Sequence, residues 1–200
     1  MKGENHAWGK GETVVDTRAE EVLAWFWEYC SNERMKAIQN SDKNPRDQLA
    51  VVSPNHITYS TLKAITWPFR NRLFAFETTW VKRVDGSYVY AFKPATTEEL
   101  DLMHSIQLVN AERRGYIQVT SLSKNSCKVV YVLQNDLKGS IPARITDQMI
   151  PDGLRPVFQI HERFCRDDDI DRIEREEMMA RARGAQKEIY SNDENDFIER

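Results

Sequence analysis

The period of the hydrophobic positions changes along the chain, and each change marks an element. Glu12-Thr13-Val14-Val15 reads as a short strand. From Thr17 the period turns helical, with Val22, Leu23, Phe26, Trp27 and Cys30 forming one buried stripe. Thr17-Arg18-Ala19-Glu20 has the form of a capping box, in which two side chains satisfy free N–H groups at a helix start. Ser31-Asn32 breaks the pattern, and the polar stretch from Asn40 to Asp47 reads as a loop.

From Leu49 the period is two. Leu49–Val52, His56–Ile65, Leu73–Val84, Ser87–Phe92, Gly115–Leu122 and Cys127–Asp136 are the expected strands, rich in aromatic and β-branched residues. Asp85-Gly86 and Ser123–Ser126 mark hairpin turns. Pro94–Asp101 is polar, with room for a helical turn. After Pro142 the helical period returns through Ile145, Met149, Val157, Phe158, His161 and Phe164, and Pro151-Asp152-Gly153 should bend or split that helix. The order is strand, helix, antiparallel strands, long helix. It predicts an α+β fold in which a curved antiparallel sheet wraps around a long C-terminal helix and leaves a cavity between them.

Charge separates the ends of the chain. Residues 167–200 hold 12 of the 31 acidic and 6 of the 28 basic side chains, a net of −6, which leaves the remainder at +3. This divides the chain into a folded domain over residues 8–166 and a charged helical tail over 167–200, disordered toward its end. Asp168 with Arg172, Asp171 with Arg175 and Glu177 with Arg181 are spaced to support a solvated helix there. The weakly basic body lacks the concentrated basic stripe of a nucleic-acid binder. No apolar run is long enough to span a bilayer, and Met1–Lys10 lacks a signal-peptide core, so a cytoplasmic location is expected.

Candidate chemistry is sparse. Cys30, Cys127 and Cys165 form no Cys-x-x-Cys pair, so neither a disulfide framework nor a zinc site is indicated. His161-Glu162-Arg163-Phe164-Cys165 begins like a zinc-protease signature, but Cys165 stands where the second histidine is needed. Gly9-Lys10-Gly11 precedes a strand and lacks the third glycine of a dinucleotide loop. No Gly-x-Ser-x-Gly elbow is present. Glu77 beside a histidine would make an acid–base pair, but strand alternation turns Glu77 outward. The expectation is therefore no enzyme, no cofactor and no metal.

Asp136-Leu137-Lys138-Gly139-Ser140-Ile141-Pro142, leading into a helix, resembles the turn before the last helix of START domains, the steroidogenic-acute-regulatory-related lipid-transfer family. Pro68–Phe74 is similar to that family's approach to an arginine-aspartate-phenylalanine strand start, with Leu73 in place of the aspartate. Val14-Val15-Asp16 before a Glu-Glu-Val helix resembles its first strand-to-helix junction. The resemblance implies a helix-grip fold, a tunnel for one lipid and a C-terminal lid helix. Such domains usually carry a further helix and two strands upstream. It also implies a lipid as partner, a transient membrane surface, and a monomer or a module of a larger chain. Thr78 stands where sterol carriers have an arginine, so a sterol is not favoured.

Alternation then assigns the cavity lining. Phe74, Phe76, Thr78 and Trp80 form the more apolar face of their strand, followed by Tyr88 and Tyr90, then Tyr131 and Leu133. The lid would contribute Ile145, Met149, Val157 and Phe158. Arg72 and Arg114 are candidates for a head-group contact, and Trp67 and Phe69 for insertion at a membrane interface. The competing expectation is that these side chains simply fill a solid core, which would leave a regulatory or interaction module. A cyclase or hydrolase of the same superfamily is a third alternative.

Overall fold

Strand β1 (Gly9–Val15) opens the fold and is followed by helix α1 (Ala19–Trp27). The structure is a computed structural model that describes residues 7–32, 34–36, 46–65, 69–95, 108–139, 141–165 and 172–184. Six strands come next: β2 (Arg46–Ser53), β3 (His56–Lys63), β4 (Arg72–Lys82), β5 (Tyr88–Pro94), β6 (Val109–Ser121) and β7 (Cys127–Asp136). Helices α2 (Ala143–Gln148) and α3 (Ile150–Phe164) end this unit. Residues Met1–Phe164 and Cys165–Arg200 form two separate compact units. Of the second, helix α4 (residues 172–184) is described. It carries the expected Glu177–Arg181 pair at 3.4 Å, while Arg172 pairs with Glu176 at 3.3 Å.

The sheet has seven strands in the order β1-β7-β6-β5-β4-β3-β2. Its neighbours along that order are antiparallel. The curvature has a local cause. β5 ends at Pro94, which has no N–H to extend a ladder. β6 is longer and continues past that end, so Val109–Ala111 pairs in parallel with Arg72–Phe74 of β4. The strand turns at Gly115, opposite Phe92, where φ is +156°. A Cβ there would stand 2.1 Å from the Val132 carbonyl oxygen and 2.8 Å from the Phe92 ring, so only glycine fits.

One face of the curved sheet packs on the helices. Phe74, Phe76 and Thr78 of β4, Tyr88, Tyr90 and Phe92 of β5, Ile117 and Val119 of β6, and Val129, Tyr131 and Leu133 of β7 are buried there. Val22, Leu23 and Phe26 of α1 join the same core. Helix α3 lies directly on β1 and β7. Gly9, Gly11 and Gly153 permit this contact: a Cβ on Gly9 would stand 2.2 Å from Ile150, one on Gly11 3.2 Å from Val157, and one on Gly153 3.2 Å from Leu133. Gly9-Lys10-Gly11 is therefore a strand surface shaped for a helix.

Several expectations are corrected. The capping box does not form: Arg18 is the N-cap of α1 and makes no side-chain cap bond, while the Thr17 hydroxyl donates to Glu21 instead of partnering Glu20. The C-terminal helix is split into α2 and α3, as expected, but the break falls at Met149, just before Pro151-Asp152-Gly153, which lie in the first turn of α3. Val157 faces Gly11, but Phe158, about 100° further round the helix, is 67% exposed. Ile145 is 37% exposed, and its neighbour Thr146 takes the buried position. His6, Trp67, His104, the segment after Ala95 and the end of the tail beyond Gly184 lie outside the described residues.

Candidate functional site

Alternation places three cationic side chains at one end of the inner face. Lys63 ends β3 and pairs across the ladder with Arg72, the first residue of β4. Arg113 of β6 lies beside them, with its guanidinium carbon 5.1 Å from the centre of the Phe74 ring. This end lies under the start of α3: Lys63 Nζ is 3.5 Å from the Asp152 carboxylate, and Gly153 abuts Asn135 of β7.

The three cations differ in what remains free. Arg72 is 2% exposed. Its Nε donates to the Leu137 carbonyl at 2.8 Å, Nη2 to the Lys138 carbonyl at 3.2 Å, and Nη1 to the Arg70 carbonyl. The expected head-group role gives way to a structural one, because these bonds clamp the turn before α2. In that turn the Lys138 N–H donates to Asp136, Lys138 has φ +52° and Gly139 has φ +71°. Lys138 Nζ meets Asp136 at 2.7 Å and Glu112 at 3.0 Å, and these contacts raise its pKa. Arg114, the other expected contact, is exposed and paired with Glu112 at 2.7 Å. Arg113 is the inward arginine. Its Nε donates to Asn135 Oδ1 at 2.9 Å.

Away from the cations the inner face is aromatic. Tyr59, Phe76, Phe92, Tyr90 and Tyr131 form a chain of ring contacts with Phe26, Trp27 and Tyr29 from α1 and the segment after it, at centroid distances of 5.3–6.5 Å. Burial pushes Tyr59 up to about 12 and raises Tyr90 strongly. Tyr59 donates to the Trp27 carbonyl at 2.6 Å, and Tyr88 to Glu20 at 2.8 Å; a backbone N–H bond first, and this phenol second, lower the pKa of Glu20. Thr78 is fully buried and donates to the Ile57 carbonyl at 2.9 Å.

The other candidates are placed as follows. Trp80 and Met149 are half-buried against the core, as is Phe69, which is thus only partly available to an interface. Thr13, Val14 and His161 meet where α3 covers the edge of β1: His161 Nδ1 is 3.2 Å from both the Thr13 hydroxyl and the Val14 carbonyl oxygen. Cys165 is exposed, and the buried Cys127 thiol is pushed up to about 12 by desolvation. Glu77 does meet an imidazole, His56 at 3.5 Å, and also Lys93 at 3.1 Å. This trio lines a groove of about 350 Å³ on the outer face of the sheet, away from the aromatic side. Among the described residues no cluster of three or more His, Cys, Asp or Glu side chains is arranged for a metal.

Sequence reasoning missed Arg113 and Asn135. Counting by twos back from Ile117 and onward from Leu133 would have found both.

Comparison with known proteins adds a family. The START domain profile matches residues 16–168. No curated protein sequence matches significantly. Among solved structures the chain is similar to human STARD10 (TM-score 0.63, 16% identity, 82% of this chain and 66% of that one). The chain thus spans slightly less than two thirds of that relative. It is also similar to the lipid transfer and protein localization domain of human StarD13 (0.63, 15%, 82% and 79%). A third neighbour is a STAR-related lipid transfer protein from Xanthomonas axonopodis (0.64, 15%, 83% and 90%). At these identities the likeness speaks to the fold.

Proposed function

The chain belongs to the START domain family, and from that premise we propose that it encloses one lipid between α3 and the inner face of the sheet and transfers it without chemical change. The observation that carries this reading is the polarity of the inner face, with cations at the end under α3 and aromatic rings beyond them. An amphiphile has the same polarity. Each methylene removed from water contributes about 0.8 kcal/mol, so enclosure supplies the affinity and a few polar groups orient the head. The acid–base reading is less well supported, because the His56–Glu77 contact lies on the other face.

The lid would open on one side. Helix α3 is seated on β1 and β7 through the glycine contacts, whereas toward β3 the described tie is the Lys63–Asp152 ion pair. Asp152 is largely exposed, so the pair is worth at most about 1 kcal/mol. Transfer of a fluorescent phospholipid between donor and acceptor vesicles tests the function. The chain should accelerate it, and Asp152→Asn should accelerate it further, by about two- to fivefold. A chain that leaves the spontaneous rate unchanged would refute transfer. An unaltered rate in Asp152→Asn would refute the latch.

A second reading is favoured by the ring network itself. Its side chains could fill the interior and leave an interaction module, in which case the chain carries no lipid at all.

A further inference from the structure

We propose that Arg113 receives an oxyanion, so that the lipid carried is one with a phosphate or carboxylate head. This rests on the carrier reading and names the class of its ligand. Arg113 shares the inner face with Ile117 and Val119, which are both buried. It is held from two sides. Asn135 Oδ1 accepts from Nε at 2.9 Å, and the Phe74 ring stacks at 5.1 Å. Asn135 is itself buried and fixed beside α3, where a Cβ on Gly153 would stand 3.1 Å from its Nδ2. These contacts occupy Nε and the guanidinium face. Among the described residues no carboxylate pairs with Arg113, and its two terminal amines remain as donors. Glu112 and Asp136, its acidic neighbours in the two strands, are bound to Lys138.

A guanidinium oriented in this way presents a planar fork, which matches the paired oxygens of a phosphate or carboxylate. Lys63 and Arg72 add positive potential at the same end, although Lys63 is paired with Asp152 and Arg72 is used by carbonyls. The apolar tail would then run toward Phe76, Phe92 and Tyr131. An uncharged lipid would leave the terminal amines without an acceptor, a penalty that discriminates strongly between otherwise similar ligands.

The test uses the full chain and vesicles of phosphatidylcholine containing equal amounts of phosphatidic acid and diacylglycerol. The protein is re-isolated and its bound lipid is extracted and weighed by mass spectrometry. The wild type should carry phosphatidic acid over diacylglycerol in excess of their vesicle ratio. Arg113→Gln should lower that preference about tenfold. Asn135→Asp, nearly isosteric, places a carboxylate on the guanidinium and should lower it similarly while the fold is retained. That variant decides the matter if Arg113→Gln does not fold. A wild type that loads both lipids without preference, or variants that keep the preference, would overturn the role of Arg113 and leave the carrier reading standing. A wild type that loads no lipid at all, the phosphatidylcholine of the vesicles included, would remove the carrier reading and this one with it. A parallel arm with inorganic phosphate separates the sources: uptake of free phosphate without phosphatidic acid would overturn a lipid head as the ligand.

Discussion

Arg72→Met is expected to destabilise the domain by about 4 kcal/mol, because a buried guanidinium that serves three carbonyl groups is lost and the carbonyl of the buried Leu137 is left without that donor. For a domain of this size the melting temperature should fall by about 10 °C. Arg72 connects the start of β4 to the turn at Leu137 and Lys138, which sets the exit of β7 toward α2 and α3. The variant should therefore loosen the lid as well as the sheet, and hydrogen exchange in α3 should rise with it. Arg72→Lys keeps the charge but reaches fewer of the carbonyls, so it should recover only part of the loss. A thermal melt within 2 °C or so of wild type would show that the clamp contributes little.

The other large effect is expected at Gly115. Gly115→Ala places a methyl group 2.1 Å from the Val132 carbonyl oxygen and 2.9 Å from the Leu133 Cα. Both are backbone atoms of the neighbouring strand, so no rotamer change relieves the overlap. The residue also has φ +156°, which a side chain disfavours. Strain and overpacking together predict a loss of about 2–5 kcal/mol. That is a large fraction of the usual stability of a domain, so the measurable result ranges from a strongly lowered urea midpoint to failure to fold. The damage would fall on the bend that lets β6 leave β5 and pair with β4, and so on the curvature that forms the inner face. Gly86→Ala is the control, since a Cβ there meets nothing within 4 Å, although its φ of +81° carries a local cost.

Much of this architecture is legible in the residues. β7 is read at its observed bounds, because Cys127, Val129, Tyr131 and Leu133 alternate without interruption with more polar positions. β6 is read only from Gly115, although it begins at Val109. Its first half holds Asn110, Glu112, Arg113 and Arg114, and a polar run conceals a strand whose partners are supplied by the fold. Arg113 and Arg114 both precede Gly115, so the alternation read from there assigns a face to neither. On the last helix the apolar residues alone mislead. Val157 and Phe158 cannot both face the sheet, and the glycines of β1, which carry no hydrophobic signal, decide that Val157 does. Ile145 and Thr146 exchange roles in the same way. The Thr17 cap was lost because the chain enters α1 one residue later than the motif suggests, with Arg18 extended at the N-cap position.

Arg72 shows where physical and family readings diverge. The residue type and its place before an inward strand suit a ligand contact, yet the turn at Leu137–Gly139 uses its donors first. The same turn explains the Asp136-Leu137-Lys138-Gly139 pattern. Asp136 binds the Lys138 N–H, Lys138 pairs with Asp136 and Glu112, and two successive positive φ angles reverse the chain.

The most direct measurement is a native mass spectrum of the 200-residue chain after exposure to vesicles of mixed phospholipids. The account predicts a dominant species heavier than the polypeptide by the mass of a single lipid, surviving gentle activation. A spectrum with only the bare polypeptide, across vesicles of every head-group class, would mean that aromatic side chains occupy the space assigned to the guest, and would contradict it.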